Sequence, residues 1–306
     1  MNGAAAYVRM QRTDIERLSC SLVPGTGTPE IQTVSCGLIN ATYRVIRDGC
    51  SYTLRVAVER PFDLRQDFGW DVRVLQAAGA AGLAPPLLNC DPLCGALVSR
   101  WVNGHSWSPQ AARNCANIGS IAGVLRRVHD LRVPPPVRLM SPLAWVDCYR
   151  AALSRAGCPL DLSLCATAAS RCDDLARLPS VAGVLCHSDL HALNLIERDQ
   201  SLVLLDWEYA HVSEPLWDLA GWSANNDFEA DAQRNLLAQY LGAAPTPRQW
   251  TRFRLLLWLY DYICLLWSEL YLSLQPAKGE ISAKSAVTGR ATQLDARLRV
   301  PAHYSA

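Results

Sequence analysis

Short apolar runs alternating with polar residues and broken by turn signals dominate the first hundred positions. Ile31 to Cys36, Tyr43 to Ile46 and Tyr52 to Val58 read as three antiparallel strands. Gly37 to Thr42 turns between the first two, and Asp48-Gly49 makes a tight hairpin turn before the third. A short helix over Thr13 to Leu18 precedes them, joined by the loop Val23 to Pro29. After Pro61 the period lengthens: Phe68, Val72 and Leu75 share one side of a helix expected from about Asp63 through Ala78. Leu87-Leu88 and Ala96 to Val102 supply two more strands, and Ser99 to Gly104 is the expected hinge.

Beyond the hinge the pattern turns helical. Ser108-Pro109, Ser141-Pro142 and Thr246-Pro247 each set a capping hydroxyl before a proline at the first helical position. They predict helices from Pro109 through His129, from Pro142 to about Ala156, and from Pro247 to about Leu274, with another over Ser163 to Leu178. The last of the three is apolar almost all round, but Arg252, Arg254, Asp261 and Glu269 interrupt it, so it reads as a buried helix and no membrane insertion is expected. Between the helices, Val184 to Cys186, Leu193 to Ile196 and Leu202 to Leu205 are short buried strands with polar residues at their ends. The pattern predicts an α+β chain of two lobes: a small antiparallel-sheet lobe over residues 1–103 and a larger, mostly helical lobe over residues 104–306.

Composition narrows the functional classes. The chain has 306 residues, half of them hydrophobic, enough for a large core. Lys plus Arg number 29 against 28 acidic residues, so no basic run marks a partner such as nucleic acid or an anionic membrane. Charged residues interrupt Met1 to Leu18, so no signal peptide is expected there. The twelve cysteines then read as thiols of a cytoplasmic protein. Their spacings hold no Cys-x-x-Cys pair, and His187 with His191 lacks the Glu of a zinc-protease helix.

The strand ends carry the candidate chemistry. His187-Ser-Asp189 is followed by Asn194, five residues after the Asp, and then by an apolar strand ending in Asp206-Trp-Glu208. That order and spacing match the catalytic loop and metal-binding Asp of protein kinases. Phosphoryl transfer needs a carboxylate beside the acceptor hydroxyl and two oxygen ligands that hold Mg2+ against nucleotide phosphates; Asp189, Asn194 and Asp206 supply that set. Arg55 is a lone cation in an alternating strand, where a kinase carries its phosphate-binding Lys, and can make the same contact bidentately. Asp67 and Asp71 lie one turn apart on the following helix, and Asp71 is the preferred partner for Arg55. The Gly37 to Thr42 loop, with Asn40, either lays backbone amides over the phosphates or is an ordinary hairpin loop. Asp218, in Trp217-Asp218-Leu219, is expected as a structural acceptor of hydrogen bonds from the catalytic loop, with His187 in support.

On these residues the chain resembles the choline kinase and bacterial thiamine kinase branch of the aminoglycoside phosphotransferase superfamily, over roughly Gly37 to Tyr271. The likeness is strongest at His187-Ser-Asp189-Leu-His-Ala-Leu-Asn194 and Leu204-Leu-Asp206-Trp-Glu208-Tyr-Ala. It implies a protein-kinase-like fold, ATP as co-substrate, Mg2+ as cofactor, Asp189 as base, Asn194 and Asp206 as metal ligands, and Arg55 as a phosphate clamp partnered by Asp71. Glu208, Trp207, Tyr209 and Trp222 are then expected to face the acceptor. Three features depart from the family pattern: Arg in place of the usual Lys, Asp71 in place of Glu, and a glycine-poor phosphate loop.

The acceptor is read from the aromatics. Ten tryptophans and ten tyrosines are present, several of them in the second half near Glu208, Asp227 and Glu229. Aromatic faces beside carboxylates suit a quaternary ammonium or thiazolium group, so a small cationic alcohol such as choline or thiamine is expected ahead of an aminoglycoside. A nucleotide-binding pseudo-kinase without catalysis is the alternative from another class, and the presence of Asp189, Asn194 and Asp206 speaks against it.

Overall fold

A computed structural model describes residues 11–36, 40–57, 67–199, 201–274, 281–300 and 304. The chain forms two compact units, the first comprising Met1–Ser106, Arg132–Pro136 and Leu195–Glu208, the second Trp107–Leu131, Val137–Asn194 and Tyr209–Ala306.

In the first unit, helix α1 (Arg12–Leu22) precedes strands β1 (Glu30–Cys36), β2 (Asn40–Arg47) and β3 (Cys50–Ala57). Helix α2 (Phe68–Ala80) and strands β4 (Leu87–Asp91), β5 (Ala96–Arg100) and β6 (His105–Ser106) follow. Five strands form one antiparallel sheet in the order β1-β2-β3-β5-β4. Period-two alternation along β3 sends Tyr52, Leu54 and Val56 into a core with Val45, Val98, Ile15 and Val23, and leaves Arg55 on the opposite face. Asp48 and Gly49 both take positive φ, 48° and 76°, as a two-residue hairpin turn between β2 and β3 requires. The Asp48 carboxylate also accepts hydrogen bonds from the N–H groups of Thr26 and Gly27, at 2.8 and 3.0 Å, and so fixes the loop after α1.

The residues expected as a turn before β2 are divided by the structure. Asn40, Ala41 and Thr42 belong to β2 and pair with Ala57, Val56 and Arg55, whereas Gly37 lies outside the described residues. The start of the expected helix at Asp63 also lies outside them; α2 is described from Phe68, with Asp67 capping it through Trp70 N–H at 3.2 Å.

Strands β8 (Leu195–Arg198) and β9 (Ser201–Leu204) join this first unit, β8 pairing with β6 as well as β9. Gly104 makes that pairing possible: a Cβ there would stand 2.5 Å from the Glu197 carbonyl oxygen and from the Ile196 side chain. The strand expected from Leu193 begins at Leu195, because Ala192–Asn194 closes into a single 3-10 turn.

The second unit is mainly helical: α3 (Pro109–Arg113), α4 (Cys115–His129), α5 (Pro142–Arg155), α6 (Leu162–Arg177), α7 (Leu216–Asn225), α8 (Ala230–Leu241), α9 (Pro247–Leu274) and α10 (Ile281–Leu298). Strands β7 (Val184–Cys186) and β10 (His211–Ser213) pair antiparallel within it. The helix expected from Pro109 to His129 is two helices. Asn114 leaves the helical conformation at φ −68°, ψ 123°, and its side chain caps the second through Ala116 N–H at 3.0 Å.

Helix α9 is long and apolar enough to cross a membrane, yet α5, α6, α7 and α10 pack around it. Its buried ionic groups are matched within the unit. Arg252 pairs with Glu214 at 2.8 Å, Arg254 donates to the Gln233 side-chain oxygen at 2.9 Å, and Asp261 is held by Arg297 and by the Tyr304 hydroxyl. A core helix of a folded unit satisfies charge this way. Because Arg252 and Glu214 retain only 9% and 12% side-chain exposure, Arg252→Ala leaves a carboxylate without its counter-charge. The expected loss is ~3 kcal/mol of unfolding free energy, read by urea denaturation at neutral pH.

Candidate active site

In the first unit, Arg55 stands on the open face of β3 beneath the turn that follows β9. One terminal nitrogen of its guanidinium lies 3.1 Å from Asp206 Oδ1, and the other donates to the Glu208 carboxylate. The Asn40 side-chain amide donates to that same Glu208 oxygen. Asp206 takes φ 62°, and Trp207–Tyr209 then forms one 3-10 turn that is tied down by Trp207 Nε1–H donating to the Leu204 carbonyl at 3.1 Å. Asn40, Arg55, Ala57, Phe68, Asp71, Gly95, Leu97 and Glu208 line a small pocket.

The charges in this group do not balance. Burial works against the Arg55 charge, but the carboxylates of Asp206, Glu208 and Asp71 outweigh it and hold the guanidinium protonated. Burial pushes Glu208 up to about 7, reinforced by Asp206 and opposed by Arg55. Three acidic groups around one cation leave negative charge for a further cation to neutralise. The exposed Asp206 carboxylate, at 41% side-chain exposure, is the hard oxygen donor that Mg2+ prefers.

The second unit holds the loop after β7. Its shape comes from Asp218, in the first turn of α7 and 1% exposed. Asp218 Oδ2 accepts from His187 N–H at 2.8 Å and Oδ1 from Ser188 N–H at 2.7 Å, while His129 Nε2 lies 3.2 Å from Oδ2. Burial disfavours this carboxylate charge, but hydrogen bonding from His129 and His187 outweighs it and the pKa falls below the ordinary range. Ligand atoms of His129, Cys186 and Asp218 all lie within 4.8 Å of one another. Both carboxylate oxygens are nonetheless engaged by main-chain N–H groups, and burial pushes the Cys186 thiol well up, so the group is a hydrogen-bonded brace.

Held by that brace, Ser188 adopts the left-handed conformation at φ 71°, and its carbonyl accepts from the Tyr260 hydroxyl at 3.4 Å. The next residue, Asp189, keeps 31% of its side chain exposed. Asn194 Nδ2 donates to the Asp189 carbonyl at 2.9 Å and to its carboxylate at 3.3 Å. His191 Nε2 lies 4.0 Å from the same carboxylate.

The structure places the other expected residues as follows. Glu208, expected against the acceptor, instead holds Arg55 and Asn40. Asp71, expected as the ion-pair partner of Arg55, lines the same pocket and acts on Arg55 through its charge. Thr42 stands opposite Arg55 in the strand ladder. Trp207 and Trp222, also expected against the acceptor, are core residues at 1% and 0% exposure. Tyr209 remains half-buried, and its hydroxyl accepts from Trp267 Nε1–H at 3.2 Å; Trp267 in turn stacks on Tyr271 with centroids 5.2 Å apart. Sequence reasoning missed Tyr260 and the part played by His129, whose only signal was a histidine on the apolar side of a predicted helix.

A model of the APH phosphotransferase enzyme family matches residues 30–256. Among solved structures, the chain is similar to a choline/ethanolamine kinase family protein from Mesorhizobium loti, with TM-score 0.75 and 22% identity over 96% of this chain and 97% of that one. It is similar also to an ethanolamine kinase of Plasmodium vivax, with TM-score 0.73 and 16% identity over 94% of this chain and 88% of that one. The choline kinase LicA of Streptococcus pneumoniae gives TM-score 0.71 and 20% identity over 94% of this chain and 99% of that one. The sequence matches no curated protein significantly. These likenesses show the expected α+β, two-lobed, protein-kinase-like fold.

The buried His211, beside Ser188 of the loop after β7, makes stability pH-dependent. Burial pushes His211 down to about 4, Arg138 adding to the effect against the Tyr209 carbonyl. The unfolded chain titrates that imidazole near 6.5, so its contribution is complete above pH 6.5 and is lost as pH falls toward 4. Glu208 slopes the other way, its raised pKa favouring the folded chain as pH falls, so the comparison must be made with a variant. Urea unfolding at pH 7.5 and 4.5 is expected to show ~3 kcal/mol more acid loss in the wild type than in His211→Asn.

Proposed function

The chain belongs to the APH phosphotransferase enzyme family, and on that premise we propose that it transfers the γ-phosphoryl group of ATP to the hydroxyl of a small cationic alcohol, choline or thiamine. The observation that carries this reading is the Asp189 carboxylate: partly exposed, on a loop fixed by Asp218, with an Asn194 amide hydrogen against one oxygen. A carboxylate so presented is suited to orient an alcohol and to receive its proton as the oxygen attacks phosphorus.

Arg55 is assigned to the nucleotide phosphates, its planar guanidinium offering paired donors. Glu208, itself bonded by the Asn40 side-chain amide, holds that guanidinium in place and restricts its rotamers. Mg2+ would neutralise phosphate charge, and the exposed Asp206 carboxylate of the first unit would serve as one of its ligands. The acceptor's cationic end is assigned to the half-buried aromatics Tyr209, Trp267 and Tyr271, whose ring faces favour a charge that offers few hydrogen-bond donors. The names of the similar structures, choline and ethanolamine kinases, support an amino-alcohol acceptor.

A coupled ADP-release assay with Mg-ATP and, separately, choline, thiamine, ethanolamine and an aminoglycoside tests this directly. Turnover with choline or thiamine is expected, with Asp189→Ala slower in kcat by about 10²–10⁴ and nucleotide binding retained. Turnover only with the aminoglycoside, or undiminished turnover in Asp189→Ala, overturns the reading. Glu208→Gln removes the charge that holds Arg55 and should raise KM for ATP about tenfold while the acceptor's KM changes less.

A further inference from the structure

His211, the first residue of β10, has no exposed surface and makes three polar contacts. Trp145 Nε1 lies 3.4 Å from its Nε2. Its Nδ1 lies 2.8 Å from the Tyr209 carbonyl oxygen and 3.0 Å from Ser188 Oγ. An indole N–H can only donate, so Nε2 must accept and the ring proton must sit on Nδ1. From Nδ1 that proton is shared between a carbonyl and a hydroxyl. Ser188 is the left-handed residue immediately before Asp189, and Tyr209 is the aromatic that receives the Trp267 indole N–H.

We infer that His211 is a positioning residue for the phosphoryl transfer proposed above: its neutral imidazole fastens the loop carrying Asp189 to the backbone of Tyr209, fixing base and acceptor-binding aromatic in one register. The inference rests on that proposed reading. Ser188 is already held at its N–H by Asp218 and at its carbonyl by Tyr260, and His211 adds the side-chain contact that links it to Tyr209. An apolar residue at 211 would fill the space without that link. An asparagine retains an N–H donor near the position of Nδ1.

Three single variants and one double variant are compared with the wild type by steady-state kinetics, at a temperature where circular dichroism shows each folded. His211→Leu is expected to lower kcat at least tenfold with KM for ATP changed less than twofold, and His211→Asn to recover most of that loss. Ser188→Gly tolerates the positive φ and removes the hydroxymethyl side chain, and with it the hydroxyl that meets His211; it should lower kcat in the same sense, and adding His211→Leu to it should cost less than the change costs alone. This variant carries the test if His211→Leu fails to fold. Nitrogen NMR of the wild type should show the neutral ring protonated at Nδ1. An unchanged kcat in His211→Leu or Ser188→Gly, a rise in ATP KM equal to the fall in kcat, or a ring protonated at Nε2 overturns this role while leaving the proposed reaction standing. A wild type that phosphorylates none of the acceptors overturns the reaction and this role together.

Discussion

Burying an ionised carboxylate costs several kcal/mol unless donors surround it, and Asp218 meets that requirement with the backbone of the very loop it must shape. The N–H groups of His187 and Ser188 point at its two oxygens, and His129 approaches from α4. Chain connectivity then fixes Asp189 as the next residue out. Asn194 is fixed in turn, because its amide donates back to Asp189. A single buried charge, offered from the first turn of α7, thereby helps convert a stretch with no regular hydrogen-bond ladder into a defined surface. Histidine suits the third donor position because Nδ1 finds the Tyr240 hydroxyl at 2.7 Å, so both ring nitrogens are satisfied in the core.

Glu208 faces the opposite balance, and the contrast explains why the two carboxylates titrate in opposite directions. Both lose water on folding. Asp218 is compensated by hydrogen-bond donors, whereas Glu208 shares its surroundings with Asp206 and Asp71, and one guanidinium has to serve all three. Asp218 is therefore a structural anion held well ionised at neutral pH. The Arg55 group is instead a charge set in which acidic groups outnumber the one cation.

Much of the architecture is legible in the chain because it is local. Asp48-Gly49 needs two positive φ angles and names its own turn; Ser108, Ser141 and Thr246 announce helix starts; and the apolar length of α9 is visible without partners. The spacing of Asp189 and Asn194 is also local, since their hydrogen bonds close within five residues. Glu208 could not be placed this way: its partner Arg55 is 153 residues distant in sequence, and an acidic residue beside a tryptophan looks equally like a substrate contact. Trp207 and Trp222 look alike in sequence to an open aromatic such as Tyr209, and only packing sends the two indoles into the core. Helices α8 and α10 escaped notice because their apolar positions are diluted by polar ones, and tertiary contact supplies the stability that pattern alone does not show.

Positive φ at non-glycine residues occurs both in ordinary turns and beside the residues assigned to chemistry. Asp48 and Asp199 take positive φ in hairpin connections, where the turn itself demands it. Ser188 and Asp206 take it at the ends of β7 and β9, one position before and directly at the residues assigned to chemistry. A left-handed non-glycine residue costs roughly 1–2 kcal/mol, so each must be held by something stronger than its own preference. Asp218 and Tyr260 hold Ser188 from its two backbone sides, and Arg55 holds the Asp206 carboxylate. Each carboxylate thus leaves its strand end at an angle the chain would not choose alone, and in each case the group that enforces the angle is a charged or hydrogen-bonding side chain from another element. Strain at these two positions is a consequence of presenting a carboxylate away from the core that anchors its strand.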